Sequence, residues 1–209
     1  MPDYRRAFPP GGTFFFTLVT HQRRPLFGEP SNIERLRAAI TTVMNERPFE
    51  FLAGVVLPDH AHFLWTLPPG DADFSTRIGR MKVLFTKSLP SRGGRCPPYT
   101  GGMGDPVGGA PPTPTAGRSA SRLKHRAADV WQRRFWGHLI ADEAGLNRHL
   151  DYIHYNPVKH GLARCPHAWP ASSFPKWVAE RWYDADWCCT CGGATQHPPD
   201  FHWATAGME

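Results

Sequence analysis

Two histidines one residue apart, His60 and His62, stand inside the apolar run VLPDHAHFLW, Val56 to Trp65. Residues two apart on a strand point to the same face with Cα atoms roughly 6.5–7 Å apart, so the imidazoles project side by side while Ala61 and Phe63 turn the other way. That separation suits joint ligation of one cation by two ring nitrogens. It equally suits two histidines satisfied by backbone or water, and H-x-H alone does not decide between them. Farther along, Tyr152 and Asn156 are four residues apart in DEAGLNRHLDYIHYN, hence on one face of a helix. The carboxamide oxygen of Asn156 is a hard ligand. A cation held by two imidazoles and one amide keeps positions open for phosphate oxygens and can act as a Lewis acid on a phosphodiester. A tyrosine beside it is a candidate nucleophile, because a phenol with an ordinary pKa near 10 needs a neighbouring cation or base to attack as phenolate. Tyr155 competes, but its side chain points about 100° away round the helix, which favours Tyr152.

The other reactive side chains are less organised. Five cysteines, three of them in CCTC at Cys188, Cys189 and Cys191, do not resemble a disulfide framework in a chain of 209 residues. Cys188 and Cys191 have the spacing of half a zinc site, but Cys96 and Cys165 are single and give it no second half. A zinc-dependent hydrolase or deaminase is the alternative from another enzyme class; the deaminase signature H-x-E with P-C-x-x-C is missing, since the residue two after His60 is His62. Asp59, beside His60, reads as the turn residue of Pro58-Asp59 rather than as a carboxylate that orients a metal-bound histidine.

These residues need elements to hold them. TFFFTLVT, from Thr13, reads as a strand. SNIERLRAAITTVMNE reads as a helix with Ser31 and Glu34 as a capping box, ended by Pro48. Phe49–Leu57 and His60–Leu67 form a hairpin about Pro58-Asp59, and Asp73–Leu89 a second helix with an apolar stripe and a basic side. Between Pro90 and Gly117 lie 7 prolines and 8 glycines, so a flexible insertion is expected over about 90–128, ending in the basic patch Arg122 to Arg126. Arg134–Ile140 can pair as a further strand, and a third helix, Asp142–Asn156, is expected to stop at Pro157. The order predicts an α+β fold: a ferredoxin-like antiparallel β-sheet with helices on one face, plus an additional C-terminal helix carrying the tyrosine. One domain is expected over 1–187, its tryptophan-rich end wrapping the sheet, with 188–209 an unassigned tail.

The charge points to partners. Twenty-four Lys+Arg against 18 Asp+Glu give a formal net charge of +6, which suits a polyanion, nucleic acid first. Arg77, Arg80, Lys82, Lys87, Arg133, Arg134 and Lys159, with His160, are the candidates for phosphate contacts. No run approaches the roughly 18 apolar residues of a membrane span and the start has no signal-peptide core, so a cytoplasmic protein without a membrane partner is expected.

The blocks GGTFFFTLVTHQRRPLF, VLPDHAHFLW, VWQRRFWGHLI and DYIHYNPVKHGL, followed by WPASSF, resemble the REP-associated tyrosine transposases, a branch of the HUH single-tyrosine transposases. The resemblance covers about Gly11 to Trp187 outside the insertion, with the blocks in the family's order. It implies a metal-dependent endonuclease and strand transferase acting on single-stranded DNA that contains palindromic hairpins. His60 and His62 match the family's metal-binding histidines, Asn156 its third metal ligand and Tyr152 its nucleophile. Mg²⁺ or Mn²⁺ is the implied ion, and the implied intermediate is a 5′-phosphotyrosine. A monomer and a homodimer both fit the resemblance, as does a catalytically inactive protein that only binds hairpin DNA. The long Pro/Gly insertion departs from the family pattern.

Overall fold

Residues 11–90, 130–191 and 199–201 are described by the structure, a computed structural model. The expected insertion, its basic patch Arg122 to Arg126 and most of the expected tail lie outside the described residues. Four strands form one sheet: β1 (Thr13–Val19), β2 (Glu50–Val56), β3 (His60–Thr66) and β4 (Trp136–Leu139), in the spatial order β2-β3-β1-β4. Each neighbouring pair is antiparallel, so β1 and β2 run in the same direction with β3 between them, the split βαβ arrangement expected.

The strand period explains how the chain supports two cores. Phe14, Phe16 and Leu18 of β1, with Ala61, Phe63 and Trp65 of β3, face α1 (Pro30–Glu46) and α2 (Phe74–Ser88). Phe15 and Leu64 face the opposite way, with Ala53 and Val55, against Leu150, Tyr152 and Ile153 of α3 (Glu143–Lys159). The first two helices therefore cover one face, and α3 covers the other.

Helix ends depart from the expectation where local chemistry has a better option. Pro30 takes the first turn of α1, where its missing N–H costs nothing, so no capping box forms. Ser31 Oγ instead accepts from Arg35 Nη1 at 2.7 Å, and Glu34 takes Arg37 at 2.7 Å. Asp73 caps α2 by accepting from Thr76 N at 3.0 Å, and Asp142 caps α3 by accepting from Gly145 N at 2.6 Å. Pro157 does not stop α3. It withholds one N–H from the ladder near its end, and the helix continues through His160 N, which donates to Asn156 O at 3.0 Å. The stop is Gly161, at φ +67°, a left-handed position that glycine adopts without penalty.

The tryptophan-rich segment wraps the sheet as expected. It lies along the outer edge of β2: Val56 N donates to Ala171 O at 2.8 Å, Ser173 N to Gly54 O at 2.9 Å and Trp169 Nε1 to Val56 O at 2.9 Å. An edge strand that would otherwise be open to pairing is thus covered. Its short helix α4 (Phe174–Ala179) follows. Among the described residues, no helix is long and apolar enough to cross a membrane.

Candidate metal and tyrosine site

β3 presents His60 and His62 on the face that α3 covers, and both are buried. Their ring centroids are 5.0 Å apart, and the Tyr152 ring stands edge-on to His62 at 5.2 Å. Tyr152 and Asn156 are buried on the inner face of α3, with the tyrosine hydroxyl enclosed. Tyr155 points to a different side of α3, half-buried against Trp187 and Phe201, with ring centroids 6.4 and 5.6 Å away.

Hydrogen bonds fix which ring atoms point where. His62 Nδ1 is bonded to Thr17 Oγ1, its partner across the β1/β3 ladder, at 3.0 Å. That leaves His62 Nε2 enclosed with no hydrogen-bond partner. Asn156 Nδ2 donates to Tyr152 O at 3.4 Å, leaving Asn156 Oδ1 enclosed and likewise without a hydrogen-bond partner. Buried polar atoms are rarely left so, and each costs about 1–3 kcal/mol unless something binds it. Asn156 Oδ1 is a lone-pair acceptor, and so is His62 Nε2 in the tautomer whose Nδ1–H donates to Thr17; these are the atoms a divalent cation takes.

Asp59 departs from the turn reading. Its Oδ1 lies 2.6 Å from His60 Nδ1, and its Oδ2 accepts from Arg23 Nη1 at 3.2 Å. Holding Nδ1 in this way makes Nε2 the nitrogen that a metal would take. Burial pulls the Asp59 carboxyl up, but the hydrogen bonds and charges of His60 and Arg23 outweigh it and hold the group below its usual range. His62 is pushed well below the ordinary histidine value, first by burial and then by interaction with His60, His160, Lys159 and Arg23. It is therefore neutral near pH 7, the form that ligates metal.

Several neighbours of the site had no place in it from sequence. His160, expected only as a DNA contact, brings its ring to 5.4 Å from His60. Lys159 Nζ lies 5.1 Å above the Tyr152 ring. His149 donates Nδ1–H to Gly145 O at 2.7 Å, stacks on His138 at 5.4 Å and is pushed down to about 4 mainly by burial. The spacing of His149, one helical turn before Tyr152, was the signal available for it.

The basic candidates divide. Arg77 is buried, bonded to Arg47 O, Asp73 O and Pro48 O and paired with Asp71 at 2.6 Å, so its charge is spent inside the fold. Lys82 is also buried, donating to Gln132 O at 3.1 Å with Trp131 and Phe135 as ring neighbours, each 5.6 Å away. Arg80 forms a two-pronged pair with Glu46 at 2.8 and 2.7 Å. Burial and internal partners take Arg77 and Lys82 away from the surface, whereas Arg80 stays exposed beside Glu46. Lys87, Arg133, Arg134 and Lys159 are exposed.

Comparison with known proteins gives a consistent result. The chain is 38% identical over 187 residues to a Haemophilus influenzae protein carried under the REP-associated tyrosine transposase name, spanning 90% of this chain and 93% of that one. It is 37% identical to the REP-associated tyrosine transposase of Escherichia coli, over 90% of this chain and 91% of that one. The solved structure of a REP-associated tyrosine transposase bound to a REP hairpin superimposes with a TM-score of 0.67 at 35% identity, covering 97% of this chain and 96% of the other. No protein-family model matches the chain.

Proposed function

This chain belongs to the REP-associated tyrosine transposases, and from that premise we propose that it is a metal-dependent single-stranded DNA endonuclease and strand transferase acting at hairpin-containing repeats. The relative bound to a REP hairpin supports hairpin DNA as the partner. The observation that carries the chemistry is the Tyr152 ring 5.2 Å from His62, whose Nε2 is enclosed; Asn156, one turn farther along α3, has an enclosed Oδ1 as well.

His60, His62 and Asn156 would hold Mg²⁺ or Mn²⁺, the amide and the substrate's phosphate oxygens favouring a hard ion. When bound, the ion polarises the scissile phosphate and offsets its charge. The chain's own groups then act as follows. Tyr152 Oη attacks phosphorus, the bond from phosphorus to the 3′-oxygen breaks, and a 5′-phosphotyrosine forms while the phenolic proton is given up and the departing 3′-oxygen gains one. Lys159 holds its charge 5.1 Å from the Tyr152 ring, close enough to offset negative charge at the reacting phosphate. A second 3′-hydroxyl can reverse the step, since the linkage keeps the energy of the phosphodiester. Lys87, Arg133, Arg134 and Lys159 are the proposed backbone contacts.

The test is a denaturing gel with Mn²⁺ and a single-stranded hairpin oligonucleotide. A slower-migrating covalent adduct is expected. Tyr152→Phe abolishes it while keeping hairpin binding, His62→Ala lowers cleavage by at least about a hundredfold, and Tyr155→Phe retains the adduct. Loss of the adduct in Tyr155→Phe with retention in Tyr152→Phe overturns the assignment.

A further inference from the structure

A second group of metal-ligating side chains lies behind the C-terminal end of α3. Cys165 sits in the loop that leaves the helix and His167 follows in the turn Pro166–Ala168, while Cys189 and Cys191 return 24 and 26 residues later. Cys165 and Cys189 are joined as a disulfide, and Cys191 Sγ is 3.0 Å from Cys165 Sγ. One ligand atom from each of Cys165, His167 and Cys189 lies within 4.8 Å of the others. The backbone holds the two stretches together: Thr190 donates to Arg164 O through both N and Oγ1, at 3.1 and 2.9 Å. His167 Nδ1 donates to Ala185 O at 3.1 Å, which leaves Nε2 as the nitrogen able to take a metal.

A disulfide employs two sulfurs and has no use for a third sulfur and an imidazole. We propose that Cys165, His167, Cys189 and Cys191, in their reduced form, bind one zinc ion and so fasten the segment 184–191 to the end of α3. Tetrahedral zinc with Zn–S near 2.3 Å and Zn–N near 2.0–2.1 Å spaces its ligand atoms about 3.5–3.8 Å apart, inside the 4.8 Å that spans Cys165, His167 and Cys189, and Cys191 supplies the fourth ligand from beside Cys165. Thiolates and imidazole select zinc over Mg²⁺ or Mn²⁺, which makes this site chemically distinct from the histidine pair. Reaching the binding form from the disulfide takes two electrons and two protons from a thiol reductant, which is oxidised to its own disulfide. Zinc then displaces the protons of the three thiols. Cys188, the half-site partner expected from spacing, is a buried thiol outside the group drawn together around Cys165.

The experiment uses the full chain carrying His60→Ala and His62→Ala, so that zinc at the histidine pair cannot contribute. The protein is reduced, given zinc chloride, desalted and analysed for metal. One zinc per chain is expected, with thiolate-to-metal absorption when cobalt replaces it. Cys191→Ser and His167→Ala, both at the exposed rim, should weaken binding at least tenfold, and Cys188→Ser should leave it unchanged. Absence of retained zinc in the reduced protein, or loss in Cys188→Ser equal to that in Cys191→Ser, overturns the proposal. The outcome is independent of the gel assay.

Discussion

Asp59 and Thr17 act on the imidazoles from outside the ring of proposed ligands. Each holds one Nδ1, and each thereby directs the opposite nitrogen. Asp59→Ala is therefore expected to raise the Mn²⁺ concentration needed for half-maximal cleavage by about 10–100-fold, with hairpin binding unchanged. A metal titration of the cleavage reaction checks this. The histidine pair and the inward face of Tyr152 were legible in the sequence because the strand period of two and the helical period of 3.6 are local geometry. The role of Asp59 was not, because its turn position satisfied a simpler reading. Its carboxylate gains its second partner, Arg23, from 36 residues away.

At the level of elements, the strands and helices were predictable from apolar spacing, whereas their ends were decided by competing local chemistry. α3 shows this most plainly. Pro157 removes a single donor, a loss the last turn can bear, and Gly161 ends the helix through its left-handed φ of +67°. An added Cβ at Gly161 would meet open space, so the cost of Gly161→Ala is conformational alone, about 1–2 kcal/mol. A shift in urea midpoint with unchanged slope is the expected result. The cysteine cluster escaped sequence analysis for a related reason. The spacing of Cys188 and Cys191 drew attention to that pair, whereas the fold sets Cys165, from 24 and 26 residues earlier, beside Cys189 and Cys191.

Across the whole molecule, a net charge of +6 did not reveal which cations face outward. Lys82 is the sharpest case, its amine pushed down to about 8 by burial. An unfolded chain takes up this proton below the ordinary value of 10.5, and the folded chain only below about 8. Its contribution to stability is thus greatest above pH 10.5, declines as pH falls toward 8, and levels off below, at a cost of roughly 3 kcal/mol. Lys82→Met should flatten that dependence and raise stability at pH 7 by about 1–2 kcal/mol, after the loss of the Gln132 hydrogen bond. Denaturant titrations at pH 7, 9 and 10.5 measure it. The three consecutive phenylalanines of β1 carry a different lesson, for anyone redesigning this sheet. A slip of one residue would still set an aromatic ring in each layer, so greasiness in the middle of the strand is a poor guide to alignment. The threonine hydroxyls at positions 13 and 17, bonded to Thr66 at 2.8 Å and to His62 at 3.0 Å, act as locating pins. Replacing them with valine would preserve shape and bulk while erasing the marks by which the strand finds its seat.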